Sequence, residues 1–258
     1  MSVKRLLDLG GKVALVTGGS RGLGLQIAEA LGEMGAKLAI SARKKDELEE
    51  AKGKLIDNGV AVEPYVCDIG KREAIRPLAE AVLKKYGKVD ILVNNAGATW
   101  GAPAQDHPLD AWDKLVSVNL SGLFALTQII ARQSMIPARW GRIINVASIA
   151  GLLGQDPRFA ATAAYTATKH GVVGLTRQLA AEWGVHGITV NAICPGFFPS
   201  KMTKATLETA GATIREWTPT RRLGGDEDLK GLVVLLASEA CRHITGQAIA
   251  VDGGATII

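Results

Sequence analysis

Tyr165 and Lys169 stand four residues apart in the stretch AAYTATKHG (163–171), in a chain with only three tyrosines. Tyr65 reads as part of a strand and Tyr86 as the far end of a helix, so Tyr165 alone is placed for chemistry. Residues i and i+4 share one face of a helix. An ammonium beside a phenol favours the phenolate and lowers its pKa from the ordinary ~10. The pair therefore reads as a proton donor and acceptor near neutral pH, as the reduction of a carbonyl would need. The plain alternative is a packing tyrosine beside a solvated lysine, and the rest of the chain has to decide.

A second constellation is TGGSRGLG (17–24), made of Gly18, Ser20, Arg21, Gly22, Leu23 and Gly24 in G-x-x-x-G-x-G spacing. Glycine allows a tight turn and close backbone approach, and a following helix N-terminus offers free N–H groups to phosphate oxygens. The turn follows a first strand and opens a helix, which is where a dinucleotide sits. A glycine turn that serves packing alone is the alternative. The next strand ends in SAR, without the carboxylate that would hold a ribose 2′-hydroxyl. Ser41 and Arg43, with Arg21, suit a 2′-phosphate, so the expected cofactor is NADP(H) in preference to NAD(H).

These residues need a scaffold. Short β-branched runs at 12–19, 37–43, 60–69, 89–97, 141–151, 188–196 and 247–254 alternate with helical patterns at 20–35, 44–59, 71–87, 109–136, 164–184 and about 226–238. Apolar runs without strict alternation suggest strands buried on both faces. The expected fold is α/β: one doubly wound Rossmann domain over 1–258, with a seven-stranded parallel sheet and helices on both faces. Ligands of such sheets bind beyond the carboxyl ends of the strands. Those ends carry Asp68 and Ile69, the NNAG run with Asn95, Ala96 and Gly97, then Ser148, then Pro195 and Gly196. Asp68 would accept from an adenine amino group or cap the next helix. The stretch 197–222 has no clear period and is expected to be an irregular lid over the substrate.

Composition excludes several classes. Of 258 residues 47% are hydrophobic and 21% charged, as in a globular domain with a large core. The net charge of +5 is not gathered in a stripe and aromatics are 5%, so nucleic acid is not an expected partner. Cys67, Cys194 and Cys241 are far apart, without metal spacing, and read as buried free thiols; no metal is expected. The N-terminus lacks an apolar run with a cleavage site, and no apolar run approaches the ~20 residues of a membrane span. A cytoplasmic protein without a membrane partner is the expectation.

TGGSRGLG, NNAG, Asn119, Ser148, YTATK and PG, in this order and on these strand ends, resemble the short-chain dehydrogenase/reductase family from about residue 10 to 258. The resemblance implies roles. Tyr165 would protonate a carbonyl oxygen or act as base in reverse. Lys169 would lower the phenol pKa and bind the nicotinamide ribose. Ser148 would hydrogen-bond the substrate oxygen, and Asn119 would hold a water linking Lys169 to solvent. It also implies a homotetramer built by the helices at 109–136 and 164–184 and the last strand. One departure is the 17-residue interval from Ser148 to Tyr165, longer than in much of the family. The extra residues, with Asp156, Arg158 and Phe159, would either bulge over the substrate mouth or form a plain surface loop.

NNAGATWGAP and PGFFPSKMT resemble two branches of that family. One reduces 3-oxoacyl thioesters, including relatives linked to rhamnolipid synthesis; the other interconverts gluconate and 5-ketogluconate. Trp100, Phe197, Phe198, Met202 and Trp217 would suit an acyl chain. Lys201, Lys204, Arg215, Arg221 and Arg222 would attract an anion or remain ordinary solvated charges. Arg132 lies near one of two arginines that dock an acyl carrier protein in the first branch, but the other position is His186, which weakens that partner. The expected activity is an NADPH-dependent 3-oxoacyl reductase acting on a small carbonyl or alcohol substrate. A sugar-acid or polyol dehydrogenase resembling gluconate 5-dehydrogenase is the alternative. A non-catalytic nucleotide sensor is disfavoured by the intact Ser148, Tyr165 and Lys169.

Overall fold

A computed structural model describes residues 1–156 and 161–258. Seven parallel strands form one sheet: β1 (Val13–Thr17), β2 (Lys37–Ala42), β3 (Val62–Val66), β4 (Ile91–Asn94), β5 (Gly141–Val146), β6 (Ile188–Pro195) and β7 (Ala248–Val251). Their order is β3-β2-β1-β4-β5-β6-β7, all parallel, as the alternating pattern predicts. The helices are α1 (Val3–Leu7), α2 (Gly22–Glu33), α3 (Lys45–Asp57), α4 (Arg72–Tyr86), α5 (Leu109–Ala138), α6 (Ala163–Trp183), α7 (Lys204–Trp217) and α8 (Lys230–Ala237).

Both faces of the sheet are buried, and neighbouring strand residues alternate between two cores. Val16, Ile40, Val93 and Ile144 pack with Ile27 and Leu31 of α2, Leu48 of α3 and Val233 of α8. Leu15, Ala39, Leu92 and Ile143 face the other way, toward Val82 of α4, Leu126 and Ile130 of α5 and Leu179 of α6. This period-two split explains why the strands read as continuous apolar runs. The edge strands β3 and β7 depart from that expectation: they are only half-buried, because each has a single neighbour.

Three further features differ from the sequence reading. The stretch 197–222 is not irregular throughout, since α7 occupies its middle; only Gly211 and Ile214 of that helix are buried, so its apolar stripe is too thin to show a period. The helix at 109–138 contains two π-turns, Ser117–Ser121 and Ala131–Met135. That helix is also long and apolar enough to pass for a membrane span, contrary to the expectation, but Leu115, Leu126, Ile130 and Met135 are buried in the protein core.

A buried polar ladder crosses the middle of the sheet. The Asn94 amide donates to Thr127 Oγ1 and to Asn145 Oδ1, each at 2.9 Å, and the Asn145 amide donates to Thr176 Oγ1 at 2.9 Å. It ties α5 through β4 and β5 to α6, the two helices that carry Asn119 and Tyr165. Asn145→Ala should lower the urea unfolding free energy by roughly 2–4 kcal/mol, since it leaves buried partners unpaired and opens a cavity. A loss no larger than that of an exposed substitution would show that the ladder does not tie the layers together.

Candidate active site

The glycine turn is shaped by close backbone approach. Gly18 and Gly22 have φ of 64° and 52°, a region that favours glycine. A Cβ on Gly24 would lie 2.1 Å from the Gly18 carbonyl oxygen and 2.4 Å from the Asn95 amide nitrogen. The Asn95 amide donates to the carbonyls of Thr17 and Gly18 at 3.0 and 3.1 Å, so β4 holds the turn that leaves β1. Strand order reverses between these two strands, which is where doubly wound sheets leave a crevice.

The carboxyl ends of the strands open into a cleft of about 490 Å³. It is lined by every residue singled out for the dinucleotide: Gly18, Ser20, Arg21, Gly22, Leu23, Gly24, Ser41, Arg43, Asp68, Ile69, Asn95, Ala96, Gly97, Tyr165, Lys169, Pro195 and Gly196. Ser148 lines it too. Asp68 lines the cleft and accepts from the Gly70 N–H at 3.1 Å, but it does not cap the next helix, whose N-cap is Lys71 and which has no side-chain cap. The sequence reading missed Lys44, Glu47, Lys114 and Val118, which also line the cleft. Glu47 was passed over because a carboxylate was sought only at the tip of β2; the first turn of α3 brings it back to the rim.

The substrate candidates divide. Met202 lines the cleft and is 44% exposed. Phe198 touches the cleft but is a core residue, 4% exposed and packed under Gly224. Phe197 instead lines a separate cavity of about 90 Å³ with Thr218, Leu223 and Val251. Trp100 is not among the cleft residues and is 47% exposed, on a loop joined to the start of α6 by the Ala102 N–H to Ala161 carbonyl bond at 2.9 Å. Arg158 and Phe159 lie outside the described residues. Four of the five lid cations are engaged within the protein: Lys201 with Glu47, Lys204 with Glu208, Arg222 with Asp228, and Arg221 with the Glu216 carbonyl.

Asn119 sits in the first π-turn of α5 and is 1% exposed. Its side chain accepts from the Ala98 N–H at 2.8 Å and donates to the Ala98 carbonyl at 2.9 Å and to Thr168 Oγ1 at 3.0 Å. The Thr168 hydroxyl donates to the Tyr165 carbonyl at 2.8 Å. Asn119 thus clamps the loop after β4 to the helix that carries Tyr165 and Lys169. Thr168 is a partner the sequence reading missed, though the short YTATK run contains it.

Lys169 Nζ donates to the Val146 carbonyl at 2.7 Å and lies 5.6 Å from the centroid of the Tyr165 ring. The Ser148 oxygen accepts from the Ala150 N–H at 3.1 Å and its hydroxyl bonds to the Tyr165 phenol. Burial pushes the phenol pKa up, the Ser148 bond opposes the rise, and the Cys194 thiol adds to it. Burial also pushes Lys169 down, to about 8, against a weaker upward pull from Cys194. The sequence reading expected the ammonium to lower the phenol. In the protein alone desolvation is the largest influence on both groups, and it moves the phenol up.

The sequence pattern of short chain dehydrogenases matches residues 12–211. A gluconate 5-dehydrogenase of Gluconobacter oxydans is 36% identical over 261 residues, covering 100% of this chain and 99% of that protein. A 3-oxoacyl-[acyl-carrier-protein] reductase of Staphylococcus epidermidis is 39% identical, covering 94% and 98%. A crystal structure of a gluconate 5-dehydrogenase from Burkholderia cenocepacia, in complex with NADP and tartrate, superposes with a TM-score of 0.93 at 34% identity over 100% of both chains.

The depressed Lys169 pKa carries a stability consequence. The unfolded chain binds this proton more tightly than the folded one, so the buried charge penalises folding at low pH. The penalty fades as pH rises from about 8 toward 10.5. Lys169→Met should therefore raise Tm at pH 7, by a margin that narrows on raising the pH through this window. A margin that does not change with pH would contradict the assignment.

Proposed function

The chain belongs to the short chain dehydrogenase family, and we propose that it is an NADPH-dependent oxidoreductase that reduces a carbonyl to a secondary alcohol, with a 3-oxoacyl thioester as its substrate. The carrying observation is that Ser148, Tyr165 and Lys169 meet at one end of a cleft whose other end holds Arg21, Arg43 and Lys44.

The residues present fit the dinucleotide. Gly22, Leu23 and Gly24 at the start of α2 line the cleft, and a Cβ on Gly22 would meet nothing within 4 Å, which leaves space for a pyrophosphate beside the helix N-terminus. Arg21, Ser41, Arg43 and Lys44 form a donor set suited to a 2′-phosphate. When bound, the reduced nicotinamide supplies a hydride to the carbonyl carbon. Ser148 hydrogen-bonds the carbonyl oxygen, and Tyr165 delivers its phenolic proton to that oxygen as charge develops there. Lys169 holds a positive charge beside the phenol, which steadies the phenolate left behind, and binds the nicotinamide ribose. Asn119 keeps the loop at 97–98 against α6 and holds the water through which Lys169 is resupplied with protons.

The thioester reading is supported by the reductase of Staphylococcus epidermidis and by Met202 at the mouth of the cleft. A docked acyl carrier protein gains little support from lid cations that are already paired. The gluconate 5-dehydrogenase relatives, matched end to end, favour a second reading: a sugar-acid or polyol dehydrogenase. A homotetramer in the cytoplasm is part of the proposal; Leu109, Trp112 and Phe124 of α5, 79%, 39% and 39% exposed, offer apolar surface for association.

NADPH oxidation should be followed with acetoacetyl-CoA and with 5-ketogluconate, each also with NADH. Turnover of the thioester with NADPH is expected, and turnover of 5-ketogluconate alone would replace the first reading by the second. Tyr165→Phe should lower kcat on the active substrate by about 100-fold or more, since it removes the proton donor; full retention of activity would overturn the roles assigned above. The pH profile gives an independent check. With Lys169 charged only below about 8, kcat/KM for NADPH should fall as pH rises above that value, and an unbroken plateau to pH 10 would contradict it.

A further inference from the structure

Glu47 is a carboxylate set into the basic end of the cleft. One of its oxygens, Oε1, meets Arg21 Nη1 at 2.7 Å, Lys44 Nζ at 3.3 Å and Lys201 Nζ at 3.4 Å. These cations come from three separate segments: the glycine turn, the entry to α3 and the lid. Only 18% of the Glu47 side chain is exposed, against 45%, 62% and 71% for its partners, so the anion sits inside a cationic rim. Slight burial works to raise its pKa, but the hydrogen bond from Lys44, the charges of Arg21 and Lys44 and the bond from Lys201 outweigh it and keep Glu47 ionised.

We propose that Glu47 is a specificity-determining residue: it holds Arg21 and Lys44 against a 2′-phosphate and so weakens the preference for NADP(H) over NAD(H). The proposal rests on the reading that the cleft takes NADP(H), and it adds a restraint on that preference. A 2′-phosphate must draw Arg21 and Lys44 off Glu47 and then sit near a like charge. Exposed ion pairs are weak enough to be exchanged, so the phosphate still binds, but at a cost. A free 2′-hydroxyl needs no cation and meets no such repulsion. Ser41 and Arg43, which have no bond to Glu47 among those described, are the donors the phosphate can reach without that exchange.

Two nucleotide fragments isolate the effect from turnover. Binding of 2′,5′-ADP and of 5′-AMP is measured by isothermal titration calorimetry on the wild-type protein, on Glu47→Gln and on Glu47→Gln combined with Arg21→Gln. Glu47→Gln should bind 2′,5′-ADP about three- to tenfold more tightly, the scale of one or two exposed charge contacts, and leave 5′-AMP within about twofold. Adding Arg21→Gln should erase the gain. Equal tightening of both fragments, or no tightening of 2′,5′-ADP while the wild type binds it, overturns the proposal and leaves the cofactor reading standing. If neither the wild type nor Glu47→Gln binds 2′,5′-ADP, both fall together.

Discussion

Lys169 keeps its ammonium where only 5% of the residue meets solvent, and the neighbouring elements are arranged to make that tolerable. Removing such a group from water costs several kcal/mol unless partners replace the lost hydration. The Val146 carbonyl, at the last residue of β5, supplies one partner at 2.7 Å. That bond needs α6 to lie close to the loop after β5, and Gly151 permits it: a Cβ there would be 2.7 Å from the Lys169 carbonyl oxygen. On the far side Asn119 and Thr168 lock α5 to α6. The sheet, the two helices and the loop after β4 are thus held in register around one dry charge, and the same dryness keeps the Tyr165 phenol protonated.

Much of this was legible from residue types in order. The glycine turn, the polar residues at strand ends and the i, i+4 pair each have a local cause, so the parallel sheet and the line of the cleft could be read directly. What was hidden depends on tertiary return. Glu47 belongs to a charged helix whose face is known only once α3 packs on the sheet. Phe198 is apolar and within the lid stretch, but whether it faces substrate or core depends on Gly224, which lies 26 residues further on. The π-turns were hidden because an inserted helical residue leaves no mark on composition. Lys169 was read by its charge alone, whereas its burial decides the direction of both pKa shifts.

The lid shows how charge counting misleads. Five cations between 201 and 222 suggest an anion trap, yet four of them have partners within the protein. Their positive charge is spent on holding the lid's own turns and on joining it to α3. The lid therefore offers less free positive charge to an anion than its count of cations suggests.

The π-turn at Ser117–Ser121 has one more consequence. A wide turn holds one more residue than an α-turn, so the helix before it and the helix after it are offset by about a quarter of a revolution relative to an unbroken spiral. On an unbroken helix Leu115 and Leu126, eleven residues apart, would lie within about 20° of each other; the offset turns them onto different bearings, and both are still buried. Deleting one residue here would let the segment close into a regular α-helix with its flanks on nearly the same bearings, so what the wide turn changes is the local backbone that carries Asn119.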